Sequence, residues 1–298
     1  MRTLTVGPNG PAFDLPWIVG QEQGYFADEG IEIRVMEKDV SKPQALAIAD
    51  RQKERLFDAG EIQIFNACEW GCLRRVERAQ HPGWLIARRP LLETQSIVVR
   101  PGSDIEWADD LAGRAVAVAW ETGGHYLTLK MLEGFLPRQE IVVVHGGFHR
   151  DRLNMLLAGE VDAAIMPEPF TSLAEKRGAR VVCEAVFRGG EVVNDSVDAE
   201  TAAKLIRALR RSVAFLNADV PGYRRRILEM EKPGDLTFDE VNWRRIAYVD
   251  PKPYTRAEFD RARDWMQTWG MIGDDVHFEQ IVNPNLVAAI AIEGGSAI

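Results

Sequence analysis

The spacing of hydrophobic and polar positions changes period repeatedly along this chain, and each change marks an element. Ile31, Ile33 and Val35 alternate with Glu32 and Arg34, the two-residue repeat of a half-buried strand. Ahead of them Trp17, Ile18 and Val19 open an apolar face that Tyr25 and Phe26 continue, punctuated by Gly24 and Gly30. A short helix, a glycine-stopped turn and a strand make half of a βαβ unit, with residues 3–6 as the strand before it. A polar helix is then expected over 43–58, with Arg51-Gln-Lys-Glu-Arg55 as its solvated middle. Strand 62–65, a helix beginning near Asn66 and strand 84–87 complete the first run.

After Arg88-Arg-Pro90 the chain crosses over, and 96–100 reads as a buried strand opening a second unit. Strands 115–119, 141–144, 163–166 and 180–183 alternate there with helices 124–136, 150–157 and 170–177. Such alternation predicts a parallel sheet wound on both faces. The return crossover falls near Phe187-Arg-Gly-Gly-Glu191, where two glycines can absorb a hinge motion. From residue 198 the pattern is helical, over 198–217, 221–228, 238–247 and 255–268, in helices expected to pack on the first unit. The expected fold is therefore α/β, with two lobes, a hinge and an interlobe cleft. Lobe I comprises 1–94 and 190–298, and lobe II comprises 95–189. In such folds ligands meet the carboxyl ends of strands and the helix N-termini that follow.

Composition narrows the partners. A length of 298 residues suits two domains, and 46% hydrophobic with 27% charged residues is ordinary for a soluble protein. The net charge is −9, with no basic face interleaved with aromatics, so neither nucleic acid nor an anionic membrane is an expected partner. No apolar run approaches 18 residues, so membrane insertion is not expected either. Met1-Arg-Thr-Leu-Thr-Val6 runs into Gly7-Pro8 without the apolar core of a leader. A cytoplasmic location is expected, or a periplasmic or extracellular one if a leader has been removed. Three cysteines do not make a disulfide framework, and Cys68 and Cys72, four apart on one expected helix, should be free thiols.

Candidate chemistry gathers where strands end. Glu121-Thr-Gly-Gly-His-Tyr126 follows a strand and opens a helix, a place where glycines let backbone N–H groups and the helix dipole face an anion. Thr122, Gly123, Gly124 and His125 are the candidates there, against the plain reading of a capped glycine turn. Asn66-Ala-Cys-Glu-Trp-Gly-Cys72 occupies the matching place in the first unit. Cys68 is either a nucleophile with a lowered pKa or a packed thiol, Glu69 an acceptor or general base, and Trp70 an aromatic wall. Trp17 either stacks on a planar ligand or caps the core, and Glu168, between Pro167 and Pro169, either faces the cleft or lies in a solvated turn. His145-Gly-Gly-Phe-His149 has no third ligand nearby, so no metal is assigned, and no cofactor is expected.

Four segments carry a family resemblance across roughly residues 1–220. They are Gly24–Ile33, Asp109-Asp-Leu-Ala-Gly-Arg-Ala-Val-Ala-Val118, Gly123–Glu133 and Leu156–Pro169. Together they resemble the solute-binding proteins of ABC importers for sulfonates, taurine and related anions, and the enzymes that share that scaffold. The resemblance implies a type II periplasmic-binding-protein-like fold and reversible capture of a small, anionic organic ligand. A sulfonate, a carboxylate or a heteroaromatic would fit, and an ABC permease is the implied partner. It implies that Thr122, Gly123, Gly124 and His125 hold the anionic end, with Trp17, Asn66, Cys68, Glu69, Trp70 and Glu168 around the remainder. The alternative is a cytoplasmic enzyme on the same scaffold, of decarboxylase, desulfinase or hydrolase type, using Cys68, Glu69 and His125. Two members are disfavoured. Thiamine-pyrimidine synthases carry a lysine and a histidine where Asn66 and Trp70 stand, and aryl-sulfinate desulfinases carry a cysteine where this chain has Pro11-Ala-Phe13.

Overall fold

The computed structural model describes residues 1–39, 51–79, 81–218 and 221–294. In chain order the first lobe opens with β1 (Arg2–Val6), α1 (Pro11–Glu22), α2 (Tyr25–Asp28) and β2 (Ile31–Val35). It continues with α3 (Gln52–Asp58), β3 (Ile64–Cys68), α4 (Glu69–Arg78) and β4 (Trp84–Arg88). The second lobe holds β5 (Leu91–Val99), β6 (Ala115–Val118), α5 (Gly123–Leu132) and β7 (Val142–His145). Then come α6 (His149–Ala158), β8 (Ala163–Pro167), α7 (Phe170–Lys176) and β9 (Arg180–Phe187). The chain returns through β10 (Gly189–Val193) to α8 (Ala199–Ala218) and α9 (Gly222–Glu231). It ends with β11 (Ile246–Tyr248), α10 (Arg256–Thr268) and α11 (Pro284–Gly294).

The opening segment folds as its pattern dictates. Proline in the first turn and Asp14 beside it suit the start of α1. Gly24 and Gly30, at φ 75° and 76°, supply the left-handed turns on either side of α2. Ile31 and Ile33 face the core while Glu32 and Arg34 face solvent. Of the helix expected over 43–58, α3 is its described end, and residues 43–50 lie outside the described residues.

Two mixed sheets replace the expected parallel ones. The first has the order β2-β1-β3-β10-β4, with β10 antiparallel to both β3 and β4. The second runs β11-β5-β8-β6-β7, with β9 also antiparallel to β5. The long return strands β5 and β9 cause this, since they carry the chain between lobes and pair on the way. β5 starts at Leu91, not near residue 96, and runs nine residues. Gly189 and Gly190 sit inside a buried strand, not in an open hinge turn. A Cβ on Gly189 would lie 2.3 Å from the Ala67 carbonyl oxygen, so glycine is needed here for close backbone approach.

The C-terminal segment spans both lobes. α8 packs on α1, α2 and α11, as expected for the first lobe. The helix expected over 238–247 is instead two short 3₁₀ turns, Phe238–Glu240 and Trp243–Arg245, followed by β11 paired with β5. Ile246 and Tyr248 are buried at two-residue spacing, which is strand periodicity. No described helix is long and apolar enough to cross a membrane.

Candidate functional site

A cavity of about 350 Å³ lies between the strand ends of the two lobes. One wall is the N-terminus of α5. Thr122 caps that helix: its hydroxyl donates to the Ala119 carbonyl at 2.7 Å and accepts a long 3.5 Å bond from the His125 amide. Gly123 and Gly124 form the first turn and line the cavity, where the amides lack intrahelical acceptors. Glycine makes room at 123, where a Cβ would sit 2.6 Å from the Phe187 ring and force that ring to shift.

The facing wall belongs to the first lobe and is cationic. Arg51 donates to the carbonyls of Trp120 and, at 3.3 Å, Glu121. Lys53 donates to the Asn66 carbonyl at 2.8 Å, and burial pushes its ammonium pKa down. Arg89 is only 2% exposed, with its guanidinium 4.0 Å from the Phe13 ring centroid and 5.5 Å from that of Phe187. The guanidinium's sole hydrogen bond among the described residues is a 3.5 Å contact to Asn66 Oδ1, and Nε and Nη2 have no partner. Neither Lys53 nor Arg89 has a carboxylate within ion-pair distance among the described residues. From the second lobe Arg152, on α6, also reaches the cavity; it donates to the Ile165 and Gly147 carbonyls at 2.9 and 2.7 Å, and burial lowers it to about 10.

The acids beside Arg89 do not cancel it. Burial raises Asp14 and Glu93 to about 7 and Glu191 to about 8. Near neutrality these carboxyls are partly protonated, so the arginine keeps much of its positive field. Glu93 lines the cavity and accepts from Gln95 Nε2. Of the other acids on the wall, Glu54 pairs with Arg75 and Glu121 with Arg74 and Arg78, and Asp39 lines the cavity as well.

Of the residues expected from sequence, Thr122, Gly123, Gly124 and Cys68 line this cavity. Cys68 precedes α4 as its cap, its sulfur accepting from the Gly71 amide at 3.3 Å, and burial raises its thiol pKa where a lowered one had been considered. The others lie elsewhere, each for a local reason. Trp17 is a core residue stacked on Phe26, ring centroids 5.3 Å apart. Asn66 is on β3 behind the wall, accepting from Asn9 and Arg89. Glu69 turns away to Arg88, 2.9 Å distant, and accepts from the Tyr254 hydroxyl at 3.3 Å. Trp70 is buried against Tyr126, Phe187 and Trp265.

Glu168 is drawn to Arg245 at 3.1 Å and to the Ser172 amide at 3.2 Å, in the second-lobe interior. His125 accepts the Glu121 amide on Nδ1 at 3.1 Å, and burial lowers it to about 4. Its ring faces a separate open groove with Arg74, Arg78, Trp120 and Tyr126. Cys68, Glu69 and His125 therefore do not converge, and the catalytic arrangement considered for them is not assembled. His145 accepts the Trp120 amide at 3.2 Å, whereas His149 lines the cavity. Among the described residues no cluster of His, Cys, Asp and Glu is arranged for a metal.

Sequence reasoning missed Phe13, Lys53, Glu93, Arg89 and Arg152. Lys53 falls in the solvated middle of an expected helix and Arg89 in an expected crossover. The available signal was the polar run Glu93-Thr94-Gln95-Ser96 in the middle of the otherwise apolar Leu91–Val99.

Two α/β lobes closing on a cavity at their strand ends define a ligand-binding protein of the periplasmic type. Residues 43–212, more than half of the chain, match the family model described as "ABC transporter, phosphonate, periplasmic substrate-binding protein", and the chain belongs to that family. No curated protein matches it significantly. Solved structures show the same fold. The alkanesulfonate-binding protein SsuA from Xanthomonas axonopodis pv. citri, bound to MOPS, aligns at TM-score 0.71 and 15% identity over 93% of this chain and 96% of that one. The periplasmic nitrate-binding protein NrtA from Synechocystis PCC 6803 aligns at 0.73 and 13% identity, over 99% and 89%. The desulfurization enzyme DSZB aligns at 0.64 and 16% identity, over 98% and 100%.

Proposed function

We propose that this chain is the substrate-binding component of an ABC importer and captures a small organic anion, of phosphonate or sulfonate type, in the interlobe cavity. The observation that carries this reading is the meeting, on one cavity, of the α5 N-terminus with Arg89 and Lys53, two cations lacking carboxylate partners among the described residues. A buried cation without a counter-ion is costly, and a bound anion supplies one. First-turn amides add preorganised donors that need no reorganisation on binding. Phe13 and Phe187 give an apolar surface for the organic part. Family membership supports the chemistry and a membrane permease as the partner that receives the closed form. Similarity to a sulfonate binder and a nitrate binder agrees with an oxyanion ligand.

Thermal unfolding with matched small ligands tests this. Ethylphosphonate or ethanesulfonate should raise the unfolding midpoint, by the equivalent of about 2.7 kcal/mol at a hundredfold excess over Kd. Neutral 1-propanol should not. Equal shifts with the neutral compound, or none with either anion, would rule the anion site out.

A further inference from the structure

The loop that presents the α5 amides is gripped from the opposite lobe. Glu121 stands directly before the cap Thr122 and has a φ of 52°, a left-handed conformation that a side chain disfavours. Its carboxylate takes Arg74 at 2.8 Å and Arg78 at 3.0 and 3.2 Å, both from α4 of the first lobe. Arg74 is itself fixed by donating to the Met271 carbonyl. From the same lobe Arg51 donates to the carbonyls of Trp120 and Glu121. The Glu121 amide meanwhile donates to His125 Nδ1 within the second lobe. Arg74 and Glu121 side chains are only 15% and 18% exposed, so this pair is better shielded than an ordinary surface ion pair. Arg74 and Arg78 line the open groove beside the cavity, Glu121 lines both groove and cavity, and Arg51 lines the cavity.

We infer that Glu121, held by Arg74 and Arg78, is a positioning residue that sets the α5 amide array only in the closed arrangement, so that parting the lobes itself disassembles the anion site. When the first lobe withdraws, the Arg74 and Arg78 ion pairs to the Glu121 carboxylate and the Arg51 bond to its carbonyl are lost together. A change of backbone angles one residue before the cap then redirects Thr122 and the first-turn amides. Ligand release would be triggered from outside the cavity, by breaking an ion pair that a docking partner can reach. The consequence for affinity rests on the anion-site reading above, whereas the grip on the lobes does not.

The test uses the full chain in two measurements. Small-angle scattering of the ligand-free protein should show a larger radius of gyration for Glu121→Gln than for the wild type. Arg74→Met combined with Arg78→Met should match it, which guards against misfolding of a single variant. In calorimetric titration with ethylphosphonate, each should bind about tenfold more weakly or worse, and combining them should add nothing, as one unit requires. Unchanged scattering, or losses that simply add, would overturn the inference. If ethylphosphonate fails to bind the wild type, the anion-site reading falls, and scattering alone still decides whether the grip holds the lobes together.

Discussion

Arg89 carries a charge where water scarcely reaches, flanked by two aromatic faces, and burial pushes up the pKa of the acids around it. It was invisible in the sequence because an arginine in Arg88-Arg-Pro90 looks like any solvated crossover, and only the fold reveals what surrounds it. Cys68 shows the reverse. Its place at a helix start was legible, but its pKa depends on desolvation, which no spacing reports. Burial raises that pKa, so alkylation by iodoacetamide at pH 7 should be slow in native protein, and slower still with ethylphosphonate present because Cys68 lines the cavity. Rapid labelling matching that of a free thiol would contradict the assignment. Gly189 offers a sharper structural test. Its Cβ would meet backbone, which cannot swing aside, so Gly189→Ala should cost about 1–3 kcal/mol in denaturant unfolding. An unchanged midpoint would show that β10 and β3 do not approach as described.

At the level of elements, local rules did most of the work. The alternation in β2, the glycine stops around α2 and the capped opening of α5 all stand where the pattern put them, within a few residues. Two kinds of element escaped. β10 and β11 run antiparallel because of partners distant in sequence, and no local period encodes that choice. The stretch after residue 238 has enough apolar spacing for a helix, yet pairing with β5 overrides it. The α5 opening makes its own prediction. Replacing Thr122 by valine removes the cap and a cavity-lining hydroxyl, and should cost about 1 kcal/mol of stability by thermal unfolding. It should also weaken ethylphosphonate binding by a similar free energy. Valine binding as well as threonine would move the anion away from this helix.

Across the whole molecule, buried acids impose a pH dependence. Asp14, Glu93 and Glu191 hold protons in the folded state up to pH values of about 7 to 8, whereas their ordinary values are 3.8 to 4.5. Over that interval unfolding releases protons, so stability must fall as pH rises, by at most about 1.4 kcal/mol per group per pH unit. His125, lowered to about 4, works oppositely below 6.5, where the unfolded chain binds the extra proton. The net decline should therefore be steepest just above pH 6.5. Unfolding midpoints of ligand-free protein from pH 5 to 9 will show this, and Glu191→Gln should flatten the slope without moving its sign. A midpoint that climbs from pH 6 to 8 would contradict the burial of these acids. These acids and Arg89 come together only where both crossovers pass, so a two-lobed plan readable in the sequence still left its charged floor unread.

The central claim is that an anion supplies the counter-charge for Arg89 across the cleft from α5. The most direct measurement is calorimetric titration of the wild type and Arg89→Met with ethylphosphonate. Methionine removes a buried, unpaired charge, so folding should be preserved or improved while affinity falls at least tenfold. Equal affinity in a folded Arg89→Met protein would contradict the account.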